Sequence, residues 1–205
     1  MSMNDMSIRT FAEALSAKSP VPGGGSVAAL VGALGIALGS MVGNFTLGKE
    51  QHADVEPDIL RILEEADNIR LSLLSCVDED VTAFEPLSNA YGIPKDDPGR
   101  AEILEKCLRE AASVPIKILG LACRAIELHS ELAEKVSGSI VSDVGSGVVF
   151  CWAALYGSAL NVKVNTKLMT DRAYAEELNA RVDALMDKYW KIADSVYESV
   201  YGRFC

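Results

Sequence analysis

The stretch PVPGGGSVAALVGALGIALGSMVGNFTLGK occupies residues 20–49 and contains no charged residue before Lys49. Two prolines stiffen its start, and the three glycines that follow let a backbone or a ligand approach closely. Ser26 is the predicted N-cap of an apolar helix. The first-turn N–H groups of that helix would face the loop, where they suit a carboxylate or a phosphate.

Glycines recur along one face of this predicted helix. Gly35, Gly39 and Gly43 are spaced every four residues, and Gly32 precedes them by three. Each glycine costs a helix about 0.5–1 kcal/mol relative to alanine. Close approach of a second helix would offset that cost, so the stripe predicts a central, tightly packed helix.

A membrane span is the alternative interpretation of the same run. About 20 apolar residues suffice to cross a bilayer, and small residues at every fourth position pair membrane helices. Ser40, Asn44 and Thr46 interrupt the apolar surface here, and most of the remaining chain has the pattern of soluble amphipathic helices. We therefore expect no association with a membrane.

Length and composition indicate one helical domain over residues 1–205. The chain is 49% hydrophobic but only 6% aromatic, which suits closely packed helices. Its net charge of −10 disfavours a nucleic-acid surface, because phosphate contacts need clustered lysine and arginine.

The cysteines predict buried thiols in a reducing cytoplasm. Five are present, an odd number, and none forms a C-x-x-C pair. Only two histidines accompany them, so zinc-type spacing is absent and no metal is expected. The polar first ten residues do not resemble a signal peptide.

Helical periodicity continues along the chain, and no segment alternates with period two. We predict an all-α bundle of about six helices, some long and kinked by proline, packed through the Gly/Ala-rich central helix. Pro86 should kink or end one helix, and Pro115 should bend another. Besides the glycine-rich helix, the predicted segments are 7–18 with Ser7 as cap, 55–90, 98–135 with Asp97 as cap, 137–162, and a last helix starting at Thr170 or Asp171.

Two aspartates are candidates for chemistry. Asp80 is either an exposed acid on a helix surface or a general acid or base near Phe84. The second role is available because burial and a nearby positive charge shift the pKa of a carboxyl group in opposite directions. Asp143 is the only charge between Lys135 and Lys163. It either caps the apolar helix that follows or serves as a site carboxylate.

Lysines and asparagines border the two uncharged stretches. Lys49 either interacts with the end of the first apolar helix or faces a ligand. Asn161 and Asn165 share a helix face next to Lys163, and could form a polar wall for a heteroaromatic ligand. A P-loop, a G-x-G-x-x-G turn after a strand, a nucleophile elbow and an H-E-x-x-H zinc motif are all absent.

Several blocks, taken in order, resemble a known family. The chain is similar to the cyclodeaminase domain of formiminotransferase-cyclodeaminase, whose family includes stand-alone bacterial methenyltetrahydrofolate cyclohydrolases. Many relatives carry Glu where this chain has Thr82, and Gly-Asn where it has residues 137–139. The matching blocks are PVPGGGSVAA (20–29), MVGNFTLGK (41–49), DVTAF (80–84), IPK (93–95), AASVP (111–115), SDVG (142–145) and NVKVN (161–165).

The resemblance implies an all-helical homodimer that binds a tetrahydrofolate near the subunit interface, with no cofactor beyond that substrate. It implies a methenyltetrahydrofolate cyclohydrolase, with a formiminotetrahydrofolate cyclodeaminase as the alternative. Both reactions pass through a tetrahedral carbon between two nitrogens. The alternative that is not an enzyme is a non-catalytic folate-binding or helical dimerisation module.

The resemblance also suggests roles for individual residues. The predicted catalytic residues are Asp80, Asp143, Lys49 and Lys95. Asp80 would transfer protons, and Asp143 would have an electrostatic or supporting role toward the cationic amidine. Lys49 and Lys95 would orient the ligand or assist proton transfer. The predicted substrate-binding residues are Pro22, Gly23, Gly24, Gly25, Ser26, Asn44, Phe84, Ser142, Asn161, Lys163 and Asn165.

Overall fold

A computed structural model describes residues 2–205, and within that range every regular element is helical. This confirms the all-α prediction. Two 3₁₀ turns, Met3–Asp5 and Glu50–Val55, accompany six α-helices. The helices are α1 (Ile8–Ser16), α2 (Gly24–Thr46), α3 (Glu56–Ala90), α4 (Arg100–Lys135), α5 (Val141–Leu168) and α6 (Arg172–Tyr201).

Two of the predicted caps, Ser7 and Asp171, are confirmed, and two, Ser26 and Asp97, are wrong. Ser7 accepts a hydrogen bond from the Thr10 amide, and Asp171 accepts one from the Tyr174 amide. Gly23, not Ser26, is the N-cap of α2. Ser26 lies inside the first turn, where its hydroxyl and its amide bind a side chain of α3.

The start of α4 also differs from the prediction. Asp97 Oδ1 accepts a hydrogen bond from the Gly99 amide at 2.8 Å, and this local turn delays the helix until Arg100. Pro86 and Pro115 both lie inside their helices, so Pro86 does not end α3, which continues to Ala90.

The glycine stripe of α2 packs against three helices rather than one. A Cβ on Gly35 would lie 2.7 Å from Cys151 Sγ on α5, and one on Gly43 would lie 2.9 Å from Leu63 on α3. A Cβ on Gly39 would lie 3.2 Å from the His129 ring on α4. The close approach is confirmed, and it makes α2 the central element.

Two helices, α2 and α5, are long and apolar enough to span a membrane. About half of each apolar window is buried, 56% in α2 and 44% in α5. Core helices of soluble proteins meet the same criterion.

The thiol prediction is confirmed for four of the five cysteines. Cys76, Cys107, Cys123 and Cys151 are buried and free, whereas Cys205 is exposed. Burial raises the pKa of the Cys76 thiol to about 11, so this thiol stays protonated at neutral pH.

His129 is fully buried where α4 meets the glycines of α2 and α5. Its Nδ1 atom lies 2.8 Å from the Ala125 carbonyl oxygen. Burial lowers the pKa of the imidazole, because no water solvates its charged form there. The folded protein therefore holds His129 neutral.

We expect acid to destabilise the fold through His129. Its stabilising contribution is fully present above the unfolded pKa of about 6.5 and is lost as the pH falls from there toward the lower folded pKa. The urea concentration at the unfolding midpoint should fall from pH 8 through pH 7 and 6 to pH 5. This fall should be smaller in His129→Gln than in wild type. His52→Gln is the matched control, and an equal pH dependence in wild type and His129→Gln would contradict the expectation.

Candidate functional site

A cavity of about 150 Å³ opens at the first turn of α2. The segment before α2, residues 17–23, forms one side of this inner cavity and is called the strap below. The other sides come from α3, α4 and α5. The lining residues are Pro20, Val21, Gly23, Gly24, Gly25, Asp80, Phe84, Ala111, Pro115, Asn161, Val164 and Asn165.

Asp80 is half-buried in this cavity and is held by Ser26. Its Oδ2 atom accepts hydrogen bonds from the Ser26 amide at 2.8 Å and from the Ser26 hydroxyl at 2.9 Å. Its Oδ1 atom lies so close to Gly25 that a Cβ on that residue would overlap it. The N-cap and first two residues of α2, residues 23–25, are called the glycine loop below, and they fix the carboxyl group as well as shaping the cavity.

The environment raises the pKa of the Asp80 carboxyl group above its usual range. Burial is the largest cause, and the hydrogen bonds from Ser26 oppose it without cancelling it. A carboxyl group with a raised pKa can exchange protons closer to neutral pH, as a general acid or base requires.

Asp80→Asn is expected to stabilise the fold at neutral pH. A raised folded pKa gives stability that is fully present below the unfolded pKa of about 3.8 and is lost as the pH rises through the folded pKa. The amide introduced by Asp80→Asn does not ionise, so the variant does not lose this stability as the pH rises. Its side-chain oxygen still accepts hydrogen bonds from Ser26. Thermal melts should place the melting temperature of the variant above that of wild type at pH 7 and level with it near pH 3.5. A lower melting temperature at pH 7 would contradict this.

Two asparagines of α5 form the polar wall opposite the strap. The Asn161 amide nitrogen donates to the Gly157 carbonyl, and that of Asn165 donates to the Asn161 carbonyl, both at 2.8 Å. Both side-chain oxygens remain without a donor among residues 2–205, so they are available to N–H groups of a ligand. Lys163 points elsewhere, since its ammonium group pairs with Asp183 of α6 at 2.7 Å.

The predicted residues divide into two groups within one chain: one lies at the inner cavity, and the other lies at the far ends of α2 and α5. Asn44 lies 18 positions from Ser26, which holds Asp80, and Asp143 lies 18 positions from the cavity residue Asn161 on α5, in each case about 27 Å along the helix axis. Asp143 does not cap α5, since Ile140 is the N-cap without a side-chain hydrogen bond. Ser142 lies beside Asp143, and Lys49 lies just past the end of α2.

Three further predicted residues have separate positions. Phe84 lines the cavity beside Asp80. Pro22 is buried in the strap but does not line the cavity. Lys95 is exposed in the turn between α3 and α4. Their functional roles stay predictions.

Comparison with known proteins identifies the family. The family model described as formiminotransferase-cyclodeaminase matches residues 7–184. The chain belongs to this family. The family resemblance drawn from the sequence is confirmed.

Individual members of the family match over nearly the whole chain. The methenyltetrahydrofolate cyclohydrolase of Methylorubrum extorquens is 37% identical over 200 residues, which are 96% of each protein. The formimidoyltransferase-cyclodeaminase of Mus musculus is 35% identical over 98% of this chain, which spans only 38% of the mouse protein. The crystal structure of formiminotetrahydrofolate cyclodeaminase from Thermotoga maritima superimposes with a TM-score of 0.84 at 30% identity, covering 96% of this chain and 98% of that one.

Some cavity residues of this formiminotransferase-cyclodeaminase family member were missed by the sequence reasoning. Ala111 and Pro115 of α4 belong to the matching block AASVP (111–115), but only a bend at Pro115 is predicted for them, and neither is a predicted site residue. The available signal was a proline inside a long helix, Pro115, with Ala111 four positions earlier on the same helix face. Pro20, Val21 and Val164 also line the cavity; they lie in the matching blocks 20–29 and 161–165 but are not predicted site residues.

Proposed function

We propose that this chain is a methenyltetrahydrofolate cyclohydrolase, which converts 5,10-methenyltetrahydrofolate and water into 10-formyltetrahydrofolate and a proton. The observation that carries the proposal is the half-buried Asp80, whose pKa is raised, in a polar cavity at the glycine loop. The Methylorubrum extorquens relative supports this choice, because it matches over 96% of both chains and its name describes this reaction.

In the proposed reaction, Asp80 moves protons around the bridging carbon. Water adds to the methenyl carbon between N5 and N10, and the Asp80 carboxylate accepts a proton from that water. Cleavage of the C–N5 bond then needs a proton on N5, which the protonated Asp80 supplies. Loss of the remaining hydroxyl proton gives the formyl group on N10, so atoms and charge balance.

Ser26 is proposed to position Asp80 during these transfers. Its two hydrogen bonds fix Oδ2 of the carboxyl group, while Oδ1 lies next to Gly25. The amide oxygens of Asn161 and Asn165 are suited to the N–H donors of a reduced pterin. This arrangement holds the heterocycle between the two asparagines and Asp80, with N5 on the side of the acid.

Cyclodeamination is the second candidate, and the likeness to the Thermotoga maritima structure favours it because that protein is described as a formiminotetrahydrofolate cyclodeaminase. In this reaction N10 attacks the formimino carbon of 5-formiminotetrahydrofolate. The C–NH bond breaks, one proton is taken up, and ammonia leaves with formation of 5,10-methenyltetrahydrofolate. The same Asp80 would deliver the proton to the leaving nitrogen.

A paired spectrophotometric assay separates these candidates. Methenyl absorbance that decays faster than the blank supports the cyclohydrolase. Absorbance that appears from the formimino substrate, with ammonia released, supports the cyclodeaminase instead. Folded protein that binds 5-formyltetrahydrofolate but changes neither substrate would overturn both and favour a folate-binding module.

A homodimer is part of the proposal, and an exposed apolar face supports it. Apolar residues recur every three or four positions along the exposed side of α2, and Leu34 and Phe45 are more than half exposed there. On α5, Leu160 is 71% exposed and Val164 is 56% exposed. Large apolar faces of this kind mark interaction sites, and we propose a second copy of the chain as the occupant.

The dimer also offers a role for the distant group of predicted residues. If two copies of α2 and α5 pack antiparallel, the end that carries Asp143 meets the end of the partner's helices that lies at the inner cavity, next to Asp80 of α3. In that arrangement the partner's Asp143 stabilises the cationic substrate.

Leu160→Lys should convert the dimer into monomers, because each interface would have to bury an unpaired charge. Sedimentation velocity would measure the change. Leu71→Lys is the matched control, since Leu71 is 53% exposed on α3. A wild-type protein that sediments as a monomer at micromolar concentration would overturn the dimer.

A further inference from the structure

A second cavity, of about 350 Å³, lies on the other side of the strap. This outer cavity shares Pro20, Val21 and Phe84 with the inner one. Its remaining lining residues all belong to α3: Val81, Glu85, Ser88 and Asn89. The two spaces are therefore adjacent, and only the strap and one aromatic ring separate them.

The sizes of the two cavities suggest that they serve one ligand. Sites for drug-sized molecules usually measure about 300–1,000 Å³. The inner cavity, at about 150 Å³, falls below that range, whereas the outer cavity lies within it. A ligand that reaches Asp80 and has a second ring must extend beyond the inner cavity.

The chemistry of the two linings also suggests that each cavity takes a different part of one ligand. The inner cavity presents a carboxyl group and two side-chain amides. The outer cavity has walls from Val81 and Phe84, with Ser88 and Asn89 contributing polar groups. A polar heterocycle suits the first lining, and an aryl ring with an amide substituent suits the second.

We propose that the outer cavity binds the p-aminobenzoyl ring of the substrate, while the inner cavity binds the pterin; this inference rests on the proposed function. The bond from N10 to the aryl ring then passes Pro20 and Val21. Placing N10 at the strap puts the bridging carbon in the inner cavity, beside Asp80.

The strap is built to hold this position. The Ser19 hydroxyl donates to the Val21 carbonyl at 2.6 Å and accepts from the Val21 amide at 3.4 Å. Glu85 is the charged residue that lines the outer cavity. Its like charge disfavours the glutamate carboxylates there, so the glutamate tail leaves the outer cavity toward solvent.

The test compares two ligands on three proteins. Equilibrium dialysis measures the Kd of 5-formyltetrahydrofolate and of 5-formyl-6-methyltetrahydropterin, which lacks the aryl ring. The proteins are wild type, Ser88→Trp, which fills the outer cavity, and Asn68→Trp, an exposed control on α3. Asn89→Trp repeats the experiment if Ser88→Trp does not fold.

We expect Ser88→Trp to raise the Kd of 5-formyltetrahydrofolate at least tenfold and to leave the Kd of the pterin within twofold of wild type. Asn68→Trp should match wild type for both ligands. An unchanged folate Kd, or equal losses for both ligands, would overturn the subsite even if wild type hydrolyses methenyltetrahydrofolate normally. Absence of both folate binding and turnover in wild type would instead overturn the proposed function itself, and the subsite with it.

Discussion

Asp80→Asn should lower kcat for methenyl hydrolysis by roughly 10²–10⁴-fold, the range that general acid–base groups supply. The amide keeps the shape of the carboxyl group and an acceptor for Ser26, but it can neither take a proton from water nor return one to N5. KM should change little, because the substitution leaves the cavity walls intact. Steady-state kinetics with 5,10-methenyltetrahydrofolate at pH 7 measure both constants.

Asp67→Asn is the matched control for this substitution. Asp67 is an exposed carboxylate on α3 that pairs with Arg70 and does not line the inner cavity. Its loss should leave turnover at the wild-type level. If Asp80→Asn raised KM and spared kcat, Asp80 would be a binding partner of the pterin rather than the proton-transfer group.

Gly25→Ala is the second substitution expected to have a large effect. The added methyl group would overlap Asp80 Oδ1, so either the carboxyl group or the first turn of α2 must move. Overpacking of this kind costs about 1–3 kcal/mol, and a displacement near 1 Å in a site costs about 10²-fold in rate. We therefore expect both a lower melting temperature and a loss of kcat.

Gly120→Ala provides the control for adding a methyl group at a helical glycine. Nothing lies within 4 Å of the Cβ position at Gly120 in α4. That variant should gain roughly 0.5–1 kcal/mol of stability, because alanine is the better helix former. Wild-type activity in Gly25→Ala would show that the backbone yields freely and that Asp80 is not held by the glycine loop.

The helices themselves were largely predictable, because apolar spacing and polar breaks record which face each helix buries. The N-terminal caps at Ser7 and Asp171 followed from local chemistry alone. Ser26 misled the prediction because its hydrogen bonds go to Asp80, a residue 54 positions away. A local rule contains no information about such a tertiary partner.

The candidate site was predictable in part. Asp80, the glycines and the two asparagines were singled out, and the structure brings them to one cavity. Their common location depends on how α2, α3 and α5 cross, which the spacing within each helix does not determine. Lys163 illustrates the limit, since its ion pair with Asp183 requires knowing which side of α5 faces α6.

The three-sided packing of α2 has a consequence for synthesis on the ribosome. Gly35 contacts Cys151, and Gly39 contacts His129, so α2 cannot be buried until most of the chain exists. At about 5–20 residues per second, the wait is on the order of ten seconds. During that time the 23-residue apolar segment can pack against α3 but lacks its partners α4 and α5. The nascent chain is therefore a natural client for factors that shield hydrophobic helices as they leave the ribosome.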